Sequence, residues 1–78
     1  MEFSERKKKA FLNEFGHSVE KAIYSKFNSK SEFARETGFL RKNLHKILTG
    51  KDTRISTLWK LSVALGVKPQ DLLPKNDT

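Results

Sequence analysis

FARETGFLRKNLHKILTG, residues 33–50, holds two short apolar-periodic runs that meet at a single glycine, Gly38. The run after the glycine is crowded with cations: Arg41, Lys42 and Lys46 are interspersed with the apolar residues Leu44 and Ile47. Two helices joined by a turn of about three to four residues pack at a steep angle. Such a corner makes demands on four positions. A small residue on the first helix lets the second approach, and Ala34 supplies it. The turn needs tolerance of positive φ, which Gly38 gives. The second helix must bury apolar residues one turn apart, and Leu44 and Ile47 do so. At about 100° per residue, Arg41, Lys42, His45 and Lys46 then project outward, with Asn43 flanking them.

Signals on either side extend this reading. Upstream, Ser29-Lys30-Ser31-Glu32 has the form of a capping box, the serine accepting from a first-turn amide and Glu32 reaching back. Residues Phe11, Phe15, Val19, Ile23 and Phe27 recur every four positions, a stripe along one helix face. Gly16 costs about 1 kcal/mol inside a helix relative to alanine. The segment from Ser4 to Lys26 is therefore either one long helix or two, broken near Gly16 and His17, and the break is favoured. Downstream, Gly50 ends the cationic helix and a polar loop, Lys51-Asp52-Thr53-Arg54, follows. The next helix covers Ile55 to Leu65, with Ile55, Leu58, Leu61, Ser62 and Leu65 inward, and stops at Gly66. A short last helix opens at Pro69, where the missing amide is harmless, and buries Leu72 and Leu73. The periodicity is helical throughout, and no alternating run suggests a hairpin.

Composition narrows the function. The chain has 78 residues, which is one domain with a modest core and an expected stability of a few kcal/mol. It has no cysteine, which rules out disulfides and thiolate metal sites and fits a reducing compartment such as the cytoplasm. No apolar stretch approaches the roughly 20 residues that span a bilayer, so no membrane role is expected. His17 and His45 lack acidic or cysteine companions at ligand spacing, so no metal or other cofactor is expected. No triad spacing or phosphate-cradling loop points to an enzyme.

The formal net charge is +7, which suggests a polyanionic partner. Residues 1–25 contribute +1, residues 26–54 contribute +5 and residues 55–78 contribute +1. The excess thus sits around the opening stretch. A helix fits the major groove of duplex DNA, where Arg and Lys reach guanine edges or phosphates and Asn pairs with adenine. Lys7, Lys8 and Lys9 read either as a DNA-binding arm or, more plainly, as a solvated helix face.

Residues 29–73 resemble the Cro-type (XRE) helix-turn-helix family of phage repressors, transcription regulators and DNA-binding antitoxins. The residues that carry the resemblance are Glu32-Phe33-Ala34, Gly38, Leu44, Ile47, Gly50-Lys51, Thr57-Leu58, Lys60-Leu61, Ala64-Leu65-Gly66-Val67 and Leu72-Leu73. Within the family, ETGFLRKNLHKILTGK (36–51) followed by ISTLWKLSVALGV (55–67) is particularly similar to the antidote proteins of chromosomal toxin–antitoxin modules. The resemblance implies an all-α, five-helix repressor-like domain over residues 17–74, preceded by a helical extension (1–16) and followed by a frayed tail (75–78). It implies base reading by Leu40, Arg41, Lys42 and Lys46, to which the outward positions of Asn43 and His45 are added. It implies phosphate contacts from Ser29, Lys30 and Lys51, and it extends them to Arg54.

Two positions depart from the family pattern. Lys30 stands where glutamine is common, a point charge replacing a forked group. Leu40 stands where serine or threonine would cap the third helix, a loss of about 1 kcal/mol. Either that end is capped otherwise, or Leu40 touches a thymine methyl. The loop before the fourth helix is also about one residue short.

Two functions follow from this reading. One is a repressor that binds double-stranded DNA as a homodimer on an inverted repeat and acts by occupancy. The other is an antitoxin that neutralises a toxin partner and regulates its own operon, suggested by four aromatic residues expected to be exposed, Phe3, Phe11, Phe15 and Trp59.

Overall fold

The computed structural model describes residues 3–74. Five helices follow one another among them, with no strand: α1 Glu5–Lys26, α2 Lys30–Thr37, α3 Arg41–Leu48, α4 Ile55–Leu65 and α5 Pro69–Leu72. The tail expected to fray at residues 75–78 lies outside the described residues.

Phe15, Val19 and Ile23 of the α1 stripe are buried together with Phe33, Leu44, Ile47, Leu61, Leu65 and Leu72. Phe33 is fully buried at the centre of an aromatic trio. Its ring meets Phe27 edge-on at 5.3 Å and Phe39 at 5.9 Å with a 41° tilt. Both spacings suit the quadrupoles of aromatic pairs. The one buried polar side chain among the described residues, Ser62, donates to the Trp59 carbonyl at 2.7 Å, which satisfies its hydroxyl.

α1 differs from the expectation. It runs from Glu5 to Lys26 with no break at Gly16, and the division placed after residue 16 falls inside it. The reason is packing. Gly16 is buried, and a Cβ there would lie 2.8 Å from the Ile47 carbonyl oxygen. The glycine permits close approach of two backbones, and the approach outweighs its poor helix propensity. A close backbone approach thus joins α1 to α3, one that the sequence pattern did not announce.

Three helix ends follow local chemistry. Ser4 caps α1, its Oγ accepting from the Lys7 amide at 3.3 Å. Ser29 caps α2 through the Glu32 amide at 3.0 Å. The reciprocal bond is displaced by one residue, because the Glu32 carboxylate accepts from the backbone and side-chain nitrogens of Asn28, each at 3.3 Å. Gly38 ends α2 at φ 76°, its amide donating to the Ala34 carbonyl at 3.0 Å.

Two side chains differ from expectation. Ile55, expected inward, is 83% exposed. It opens α4 beyond the edge of the core, on an open cleft whose other wall is Lys8, Phe11 and Leu12 of α1. Phe15, counted among exposed aromatics, is buried, while Phe3, Phe11 and Trp59 are exposed.

Candidate nucleic-acid interface

The three residues Gly38, Phe39 and Leu40 turn the chain from α2 into α3. Phe39 packs against Phe33 and pins the turn to the core. Leu44 and Ile47 then bury the inner face of α3. Its outer face is left entirely in solvent: Arg41, Lys42, Asn43, His45 and Lys46 are all exposed. No salt bridge engages Arg41, Lys42 or Lys46 among the described residues. The helix is therefore a cationic cylinder mounted on the core by two aliphatic side chains.

Its two ends are built differently. At the C-terminal end the Lys51 amide donates to the Lys46 carbonyl at 2.9 Å and the Gly50 amide to the Ile47 carbonyl at 3.2 Å. This pair closes the helix around Gly50 at φ 83°. At the N-terminal end Leu40 occupies the cap position with no side-chain hydrogen bond. Its side chain is 65% exposed. It borders a groove of about 400 Å³ shared with Phe39, Asn43, Trp59, Lys60 and Val63.

The four residues expected on phosphate fall in two places. Ser29 and Lys30 open α2. The Ser29 oxygen accepts from Glu32, and its own proton remains available. Lys30 is held by Glu20 of α1 at 3.1 Å. The hydrogen bond to that carboxylate, reinforced by its charge, raises the lysine pKa above the ordinary value. A raised pKa keeps Lys30 protonated up to and beyond pH 10.5, and the pair is lost only as pH climbs through the folded value. Lys51 and Arg54 lie exposed at either end of the α3–α4 loop. Between them Asp52 faces Lys8 of α1 at 3.9 Å.

Sequence reasoning missed what holds α3 in place. A Cβ on Gly50 would lie 2.1 Å from the Asn13 Oδ1, and Gly16 faces the Ile47 and Leu48 backbone. Asn13 and Gly16 of α1 thus set the position of the cationic helix, and Glu20 on the same side sets Lys30. The spacing of these three residues was visible, but a polar face carries no apolar period to flag it. Among the described residues no group of His, Asp or Glu is arranged to hold a metal ion, and no helix is long and apolar enough to cross a membrane.

Comparison with curated proteins found no match, and comparison with solved structures found none. A protein-family model does match, over residues 22–76, which takes in the C-terminal part of α1 and all of α2 to α5. The corner at Gly38, the outward cations and this match agree, and the chain belongs to the family of Cro/C1-type helix-turn-helix DNA-binding domains.

Proposed function

We propose that the protein is a sequence-specific transcriptional repressor that binds an inverted repeat as a homodimer. The observation that carries this reading is the outer face of α3, five exposed polar or cationic residues with no acid among the described residues paired to the three cations. α3 enters the major groove. Arg41, Lys42 and Lys46 read guanine edges or nearby phosphates, Asn43 and His45 read adjacent positions, and Leu40 meets a thymine methyl. Ser29, Lys30, Lys51 and Arg54 fix the register on the backbone. Two copies related by a dyad would place their α3 helices about 34 Å apart in successive major grooves. The exposed Trp59 and Val63 offer apolar surface for the second copy. Repression then follows from occupancy, because the bound dimer denies polymerase the operator.

Selection of bound sequences from random duplexes tests the reading, and an enriched two-fold-symmetric site is expected. Arg41→Ala or Lys46→Ala is expected to lower discrimination between that site and random DNA. Lys51→Ala is expected to weaken both alike and to reduce the salt slope by about 1. Absence of any enriched site would overturn the proposal.

A second reading, an antitoxin with a protein partner, draws on the resemblance noted for residues 36–51 and 55–67 and on the exposure of Phe3 at 91% and Trp59 at 59%. It loses Phe15, which is buried. Recovery of the tagged chain in a stoichiometric complex with a second protein from its own cells would favour it, and recovery of the chain alone would count against it.

A further inference from the structure

The first turns of α1 run beside the loop that ends α3. Two contacts fix this course. Asn13 sits against Gly50, and Lys8 lies 3.9 Å from Asp52. Gly16 faces Ile47 and Leu48, and Asn13, nearer the N-terminus, faces Gly50. α1 therefore travels past the C-terminal end of α3 in the opposite sense, and its first turns continue along Lys51 and Asp52. Lys8, Phe11 and Leu12 line a shared cleft with Asp52, Arg54 and Ile55, which confirms the adjacency.

Helical register sorts the four consecutive cations Arg6, Lys7, Lys8 and Lys9. Seven residues amount to nearly two full turns. Arg6 therefore lies on the side of Asn13, and Lys9 on the side of Gly16, the side that faces α3. Lys8 points to the loop and offsets its one acid, Asp52. Lys7 is displaced by about 200° from Lys9 and faces away. All four are exposed, and Arg6, Lys7 and Lys9 form no salt bridge among the described residues. The acids on this part of α1 are Glu5 and Glu14, and Lys51, Asp52 and Arg54 face it from the loop. Residues before 22 also lie outside the stretch matched by the family model.

From this we infer that Arg6 and Lys9 are phosphate-binding residues, which extend the backbone contact of Lys51 and Arg54 along the DNA. The inference rests on the DNA-binding reading above. Its argument is continuity with the candidate interface and charge complementarity to a polyanion. With Asp52 offset by Lys8, four cations, Lys46, Lys51, Lys9 and Arg6, share the strip with one further acid, Glu5, which register places about 40° from Lys9. Phosphate contacts of this kind carry affinity and salt dependence without sequence information.

The test is fluorescence anisotropy of the full chain on a random-sequence duplex of about 30 base pairs, between 50 and 200 mM salt. Arg6→Gln/Lys9→Gln is expected to lower the salt slope by about 2 and to weaken binding roughly tenfold at the low-salt end. Arg6→Lys/Lys9→Arg is expected to retain both. Lys7→Gln removes a charge from the opposite face and is expected to keep the wild-type slope. A wild-type slope in the double glutamine variant overturns the inference and leaves the DNA-binding reading intact. An equal loss in Lys7→Gln also overturns it, because net charge rather than a contact would then be responsible. A wild-type chain that ignores the duplex altogether sinks the DNA-binding reading, and this inference with it.

Discussion

Gly16 of α1 presses on the carbonyl oxygen of Ile47 in α3: a Cβ added to the glycine would lie 2.8 Å from that oxygen. The obstacle is backbone, which cannot rotate aside. Gly16→Ala therefore sets two effects against each other. Alanine gains about 1 kcal/mol of helix propensity, while the clash costs about 1–3 kcal/mol, as overpacking does. It also drives α3 away from α1. The expected outcome is a net loss of up to about 2 kcal/mol in denaturant unfolding together with weaker DNA binding, since α3 carries the outward cations. A variant more stable than wild type would show that the contact is loose.

Gly38 and Gly50 separate conformation from space. Both have positive φ, 76° and 83°. A Cβ at Gly38 meets nothing within 4 Å, whereas one at Gly50 would sit 2.1 Å from the Asn13 Oδ1. Gly38→Ala should then cost only the left-handed penalty, about 1 kcal/mol. Gly50→Ala should cost more, and the excess should vanish in an Asn13→Ala background. A double-mutant cycle on residues 13 and 50 is expected to give a coupling of about 1 kcal/mol. A coupling near zero would mean that Asn13 swings clear without cost.

These glycines show what the sequence could and could not reveal. The corner was legible because Gly38, Ala34, Leu44 and Ile47 each answer a separate local demand within one short window. The outward cations followed from counting residues around a helix. Gly16 was misread as a break, since a glycine that lowers helix propensity and a glycine that admits a neighbouring backbone look alike in one dimension. Ile55 was misplaced for a related reason, because an apolar period records phase but not where the opposing surface ends. The Lys8–Asp52 and Glu20–Lys30 pairs join residues far apart in the chain, and no periodicity announces such contacts. They matter to function because each involves a cation beside the candidate interface.

Glu20 holds Lys30 at 3.1 Å at the start of α2. A phosphate at the same place would compete with that carboxylate for the ammonium. Both side chains are more than a third exposed, so the pair adds little to stability in salt. Glu20→Gln is expected to leave the thermal midpoint nearly unchanged, to tighten duplex binding and to steepen its salt slope by up to about 0.9, the value of one phosphate contact. Lys30→Ala should do the reverse. If Glu20→Gln instead weakens binding, the carboxylate positions Lys30 and does not compete for it. The pKa of Lys30 is raised by this pair. The contribution of the pair to stability is therefore present below pH 10.5 and fades only as pH rises through the folded value.

Leu40 occupies the cap position of α3 with extended backbone, φ −69° and ψ 126°, and with no side-chain hydrogen bond to the helix. That backbone suits a serine, whose oxygen could accept from a first-turn amide. Leu40 is 65% exposed, so its removal forfeits only a minor part of the burial energy of a leucine, below about 1 kcal/mol. Comparing two variants cancels that loss. Leu40→Ser is expected to be about 1 kcal/mol more stable than Leu40→Ala, the worth of one cap. If the two unfold together, the amides of the α3 N-terminus are already satisfied by other partners. DNA binding separates the remaining question. If Leu40 contacts a thymine methyl, both variants lose preference for thymine at one operator position and at no other. An unchanged preference in both would leave Leu40 with only its place at the edge of the Trp59 groove, and binding of the second copy would be where its loss is felt.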